Sequence, residues 1–112
     1  MEVTEIKHPN FTTLIPAGEL DANSSMLMDE KIQAQIDAGV FKLHIDCSAL
    51  RYISSAGLGV FISFMDELSA NDGMFIFSGL SDNIFRVFQL LGLEQLMVIV
   101  KSAPEAAERF NA

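Results

Sequence analysis

Short apolar runs that alternate with longer stretches of helical periodicity constrain this chain more than any other feature. Strands and helices in that order can share one core only as layers of an α/β structure. Val3–Lys7 and Phe11–Ala17 read as strands, and the turn cluster His8-Pro9-Asn10 between them predicts an antiparallel hairpin. Gly18 is expected to end the second strand. Asn23–Asp37 reads as a helix with Met28, Ile32 and Ile36 at steps of four, stopped by Gly39. Val40–Cys47 is almost continuously apolar, which fits an interior strand covered by helices. A second helix is predicted from near Ala56 to Ala70, with Leu58, Phe61, Ile62, Met65 and Leu68 on one side. Asn71-Asp72-Gly73 then turns the chain into a strand at Met74–Ser78. Ser81 or Asp82 caps a third helix through Leu91, with Ile84, Val87, Phe88 and Leu91 facing inward and Gly92 as its stop. Leu96–Val100 is the last predicted strand. Ala103–Phe110 is a terminal helix with Pro104 in its first turn.

The order β-β-α-β-α-β-α-β-α predicts a single α/β domain over residues 1–112. It opens on an N-terminal β-hairpin and continues as alternating α/β, a mostly parallel mixed sheet flanked by about four helices. In such folds, ligands and modifications gather at loops leaving the carboxyl ends of strands. Two loops qualify: one holds Asp21, the other runs from Ser48 to Gly57.

Half of the 112 residues are hydrophobic, enough for one core, and nine Phe with no Trp are expected to fill much of it. Seven Lys and Arg against 15 Asp and Glu leave a net charge of −8. An anion of that size repels phosphate backbones and anionic lipid, so neither nucleic acid nor a membrane is an expected partner. Cys47 lies in an apolar run and reads as a small buried hydrophobe rather than a reactive thiol. His8, His44 and Cys47 lack the spacing of metal ligands, so no metal site is expected. His44 falls in mid-strand, where an outward-facing or satisfied histidine is the usual case. No apolar run is long enough to span a bilayer, and the acidic N-terminus lacks a signal core. The expected compartment is the cytoplasm.

The most informative stretch is Tyr52-Ile53-Ser54-Ser55-Ala56-Gly57-Leu58-Gly59-Val60, between a buried strand and the second helix. Gly57 and Gly59 each weaken a helical turn by about 1 kcal/mol relative to Ala. Close approach of another backbone or of a ligand would explain them. Ser55 stands where a hydroxyl caps a helix, a role worth about 1 kcal/mol. It also stands where a phosphate would be tolerated by the fold, because free N–H groups at a helix N-terminus stabilise an anion. A docked partner surface would not tolerate the same charge.

This loop resembles the phosphorylation loop of STAS domains that act as anti-sigma factor antagonists. Gly18-Glu19-Leu20-Asp21 resembles the family's Gly-Xaa-Leu-Asp motif after the second strand. Ser81–Leu93, ending Phe88-Gln89-Leu90-Leu91-Gly92-Leu93, resembles its third-helix segment. The family pattern runs Asp-Ser-Ser/Thr-Gly-Leu-Gly, with the serine after the Asp as phosphate acceptor. Aligned on Gly57-Leu58-Gly59, the acceptor falls on Ser55. Ser54 replaces the Asp and is a rival acceptor, and Ala56 replaces the second hydroxyl. The resemblance implies a protein that binds an anti-sigma factor, itself a serine kinase, and so frees a sigma factor. Phosphorylation by that kinase releases it, and a PP2C-type phosphatase restores it. On this reading the chain is not an enzyme and carries no cofactor; ATP and magnesium belong to the kinase. Asp21 then either orients the acceptor hydroxyl and contacts the partner, or caps the first helix. The partner-binding loop would comprise Asp21, Ser54, Ala56, Gly57, Leu58, Gly59 and Val60.

On the second helix, Val60 and Phe64 lie off the main apolar stripe. Either that helix is unusually buried, or the two form an exposed patch for a partner; the patch is the expectation adopted. Among rival readings, a phosphoaspartate receiver would use Asp46 and Lys101, but the hairpin offers no acidic pair for magnesium. Ser55 lacks a Gly-Xaa-Ser-Xaa-Gly elbow, which argues against a hydrolase. A STAS binding or scaffold module that is never phosphorylated stays open.

Overall fold

The computed structural model describes residues 1–111. Its N-terminal hairpin pairs β1 (Glu2–Lys7) with β2 (Thr12–Leu20) in antiparallel register from Glu2↔Ala17 to Lys7↔Thr12. The His8 amide closes the turn by donating to the Phe11 carbonyl at 2.9 Å. There follow α1 (Ser25–Asp37), β3 (Lys42–Asp46), β4 (Leu50–Ile53), α2 (Ser55–Ala70), β5 (Met74–Ser78), α3 (Asp82–Leu90), β6 (Val98–Val100) and α4 (Ala103–Asn111). The sheet order is β1-β2-β3-β5-β6, with β4 paired to β2 beyond the point where β3 leaves it. Apart from the β1–β2 hairpin, all pairings are parallel. This is the expected hairpin-plus-alternation architecture, with four helices.

The helices divide unequally between the two faces. On one face, Met28 and Ile32 of α1, Leu58, Phe61 and Leu68 of α2, and Ile84 and Phe88 of α3 cover Leu14, Leu43, Ile45, Phe75 and Phe77 of the sheet. Phe61, Phe75, Phe77 and Phe88 form a chain of mostly edge-to-face contacts, centroids 5.1–5.7 Å apart, so phenylalanine does fill this core. On the other face α4 alone packs, setting Ala106 and Phe110 on Phe11, Ile76 and Val100.

Three expectations need correction. Gly18 does not end β2. It adopts φ +107° inside the strand, where a register shift between Gly18 and Glu19 lets β2 change partner from β3 to β4. Its amide donates to the Ala49 carbonyl at 3.0 Å. Second, Leu50–Ile53, read as loop, is the short strand β4, held on Gly18–Leu20. Third, α3 ends one residue early. Leu91 is exposed, a 3₁₀ turn follows at Leu93–Gln95, and the last strand starts at Val98 rather than Leu96. Buried Leu93 and Met97 anchor that turn instead.

Candidate functional site

The chain leaves β4 at Ile53 and enters α2 within two residues, at the carboxyl ends of β2 and β4. The Ser54 amide donates to the Leu20 carbonyl at 2.9 Å, which pins the loop to the end of β2. Ser54 has extended backbone (φ −96°, ψ 173°), and its Oγ accepts from the Gly57 amide at 3.2 Å. Ser54, not Ser55, is therefore the N-cap. Asp and Ser are equally good caps, so this substitution for the family's Asp keeps the same local function.

Ser55 is the first residue of α2 and is exposed, and among the described residues no side-chain hydrogen bond engages its hydroxyl. The two serines thus separate. One hydroxyl is half-buried and occupied by the cap; its neighbour faces solvent at the positive end of the helix dipole. Ala56 is exposed beside it, and Leu58 is buried in the core.

The two glycines separate as well. A Cβ on Gly57 would lie 2.7 Å from Leu20 Cγ and 2.8 Å from the Leu20 carbonyl oxygen, so α2 crosses the end of β2 too closely for any side chain. A Cβ on Gly59 would meet nothing within 4 Å. Packing explains the first glycine and leaves the second, which is exposed, without an internal reason.

Val60 and Phe64 are core residues, 8% and 6% exposed, which corrects the expectation of a surface patch. The reason is that α2 is covered twice, by the sheet on one side and by α1 on another, so its buried arc is wider than one stripe. The exposed apolar residue is Ile62, at 47%, which the sequence pattern placed inside. Ser55, Gly59, Ile62 and Asp66 are spaced by four, three and four and all are exposed, so they form one stripe down α2. That spacing was the available signal for Ile62. Tyr52 and Met26 add exposed apolar area on β4 and α1.

Asp21 serves its own turn. Its Oδ1 accepts from the Asn23 and Ser24 amides at 2.9 and 3.2 Å, and its carbonyl accepts from the Ser25 amide at 2.8 Å. Ser24 Oγ donates to the Glu19 carbonyl at 2.7 Å and ties the same turn to β2. This geometry matches the helix-start role, although Ser24 holds the N-cap position itself. Among the described residues no hydrogen bond joins Asp21 to Ser55. The two are linked through Leu20, whose carbonyl holds Ser54.

Other candidate residues form no second site. Burial pushes the Cys47 thiol far above its ordinary range, with Asp46 adding to the effect, so it stays protonated and inert. His44 is a satisfied core histidine: Nδ1 meets Thr13 Oγ1 at 2.9 Å and Nε2 meets Ser78 Oγ at 2.7 Å. His8 Nε2 reaches the same Thr13 hydroxyl at 3.0 Å. Among the described residues no cluster of His, Cys, Asp and Glu could hold a metal ion, and no helix is long and apolar enough to cross a membrane.

The model of the STAS domain family matches residues 3–106. An anti-sigma-B factor antagonist of Listeria monocytogenes is 34% identical over 84 residues, 74% of this chain and 73% of the relative. One of Staphylococcus epidermidis is 29% identical over 97 residues, covering 87% and 90%. Among solved structures, the anti-sigma factor antagonist SpoIIAA in its unphosphorylated form superposes with a TM-score of 0.84 at 25% identity, covering 98% of this chain and 96% of that one. SpoIIAA of Bacillus in the phosphorylated form superposes with a TM-score of 0.75 at 26% identity, covering 96% and 98%. The family match across nearly the whole chain establishes that this chain belongs to the STAS domain family.

Proposed function

We propose that this chain is an anti-sigma factor antagonist whose unphosphorylated form binds an anti-sigma serine kinase, freeing a sigma factor, and that phosphate on Ser55 ends the binding. The reading takes residues 1–112 as one regulatory domain acting in the cytoplasm. It makes Ser55, rather than Ser54, the acceptor. The observation that carries it is the division of labour between the serines: Ser54 Oγ is engaged by the Gly57 amide, while Ser55 is exposed at the first position of α2. The names of the curated relatives and the phosphorylated form of SpoIIAA support it.

The chain supplies an acceptor oxygen and a docking face. In the transfer step the Ser55 hydroxyl oxygen takes the γ-phosphoryl group of ATP, ADP leaves, and the hydroxyl proton passes to a base of the kinase. ATP and magnesium belong to that kinase, and a PP2C-type phosphatase reverses the step by hydrolysis. Phosphoserine adds a charge of roughly −1.5 to −2. At the N-terminus of α2 the helix dipole stabilises it, so the fold persists. At an interface, the same charge is desolvated and faces groups arranged for a neutral hydroxyl.

The docking face consists of Ser55, Ala56, Gly59 and Ile62 on α2, flanked by Tyr52 and Asp21. Leu58 and Gly57 position it from beneath, and Val60 and Phe64 hold α2 to the core. A STAS binding module that is never phosphorylated would use the same face; the hydroxyl missing at Ala56 is the observation that favours this second reading. Binding of Ser55→Ala and Ser55→Asp to the cognate anti-sigma factor separates the two. Ser55→Ala is expected to bind like the unmodified chain and Ser55→Asp at least tenfold more weakly, with equal melting temperatures. Equal binding by both variants removes the switch.

A further inference from the structure

Two imidazoles meet at one hydroxyl on the face of the sheet that α4 covers. Thr13 Oγ1 lies 3.0 Å from His8 Nε2 and 2.9 Å from His44 Nδ1, and among the described residues it has no third partner. Beyond it, His44 Nε2 meets Ser78 Oγ at 2.7 Å. Thr13, His44 and Ser78 are buried, whereas His8 is exposed at the hairpin turn. The chain His8–Thr13–His44–Ser78 therefore leads from solvent across three adjacent strands, β2, β3 and β5.

A hydroxyl carries one proton, and that restricts the charges on the two rings. When His8 is an imidazolium, its Nε2–H donates to Thr13 and Thr13 donates to His44 Nδ1. His44 is then the neutral Nε2–H form, which donates to Ser78. When His44 is the imidazolium, it donates to both Thr13 and Ser78, and Thr13 donates back to a bare Nε2 on neutral His8. Either single charge leaves Thr13 and the two facing ring nitrogens matched. With both rings charged, two N–H groups aim at one oxygen and the Thr13 proton has no imidazole acceptor. Two like charges also face each other across a single buried atom, so hydrogen bonding and repulsion both oppose that state.

The surroundings choose which ring takes the charge. Burial works most strongly against an imidazolium at His44; Asp46 works for it and His8 against it. Asp46 Oδ1 also accepts from the Ser48 amide at 3.0 Å. Ile6 of β1, Phe11 and Ile15 of β2, and Ala103 and Ala107 of α4 close round the pair without a charge. Lys42 shares the His44 face of β3 two residues away, exposed, and adds positive charge on that side. The charged residues of α4, Glu105, Glu108 and Arg109, are exposed, and Glu105 accepts from the Lys101 amide at 2.9 Å. On β1, Glu5 binds Gln35 of α1 and lies 3.8 Å from Lys7, while Glu2 is four residues from Ile6. At His8 a charge keeps its water and gains a partner. The ring stacks on Phe11 at 4.3 Å and 20°, within reach of a cation–π contact, and Phe11 stacks in turn on Phe110 of α4 at 4.8 Å.

We propose that His8, Thr13 and His44 form a one-proton switch, in which a proton on His8 bars a second from His44, points the hydrogen bonds inward to Ser78 and tightens the hold of the hairpin turn on α4. It does not rest on the choice of phosphate acceptor. His8 and Thr13 stand at the start of β2, whereas Leu20, which holds Ser54, stands at its end.

The test uses the full chain, with both imidazoles and the backbone amides followed by NMR through a pH titration. Across the range in which His8 gains its proton, His44 is expected to keep the neutral Nε2–H form. Over the same range the amides of Ala106–Phe110 should gain exchange protection relative to those of α1. The gain should be about twofold or more, as an exposed cation–π contact gives. His8→Phe keeps a ring on Phe11 and removes the nitrogens at an exposed position. In that variant His44 should take up its proton at higher pH than in the parent chain, and the gain on α4 should vanish. Imidazolium signals arising on both rings together overturn the proposal. So does an unmoved His44 titration in His8→Phe, or protection of α4 that ignores the charge on His8.

Discussion

At the scale of single residues, the pairs Ser54/Ser55 and Gly57/Gly59 show how neighbours of one type divide their tasks. The Cβ that Gly57→Ala adds points at the Leu20 carbonyl and Cγ, within 2.8 Å of both. Strain of that kind costs about 1–3 kcal/mol, and chemical denaturation should show it as a lower midpoint with unchanged slope. Gly59→Ala meets open space and should stabilise the protein by about 0.5–1 kcal/mol through helix propensity. If the stripe through Gly59 is the docking face, the same variant weakens binding to the anti-sigma factor despite its firmer fold. Stabilisation with unaltered binding would show that Gly59 contacts no partner. The loop motif was legible in the sequence because its residue types are unusual for a helix start. Which serine caps was not legible, since either hydroxyl can reach an amide three residues on, and only the Ser54 backbone at ψ 173° decides it.

At the scale of elements, α2 is where periodicity misled. A single stripe of apolar residues describes a helix lying on one surface, and α2 lies against two. Burial therefore took in Val60 and Phe64 and left Ile62 out. Phe64→Ala should cost about 3–5 kcal/mol, as large-to-small changes in cores do, whereas Ile62→Ala should stay within about 0.5 kcal/mol. Thermal unfolding of the two variants checks this, and comparable losses would contradict the burial assigned to Phe64. Strand β4 escaped the sequence reading for a different reason. Four residues buried only at their two ends, Leu50 and Ile53, carry no strand periodicity, and their pairing depends on the Gly18 bulge that turns the end of β2 toward them.

At the scale of the whole molecule, one buried polar network crosses the sheet. His44 on β3 joins Thr13 on β2 and Ser78 on β5, with His8 at its outer end and Asp46 two residues along. Beside it, α4 docks through Phe110 stacked on Phe11 at 4.8 Å, which is itself stacked on His8 at 4.3 Å. Burial holds the His44 pKa below its ordinary value; Asp46 opposes this and His8 adds to it. The unfolded chain therefore takes up this proton first. The stabilisation is complete above about pH 6.5 and is lost as the pH falls through the unfolded value toward the folded one. Melting temperature should drop between pH 7 and pH 5, and His44→Gln should flatten part of that drop; equal slopes would clear His44 of the effect. The sequence by itself determined the α/β alternation, the hairpin edge, the loop carrying the serines and the anionic character, because residue type and spacing act locally. Only the tertiary structure decided which serine is free, why Gly57 has no substitute, and which face of α2 meets solvent, because these depend on α1 and the end of β2, elements distant along the chain that folding sets against it.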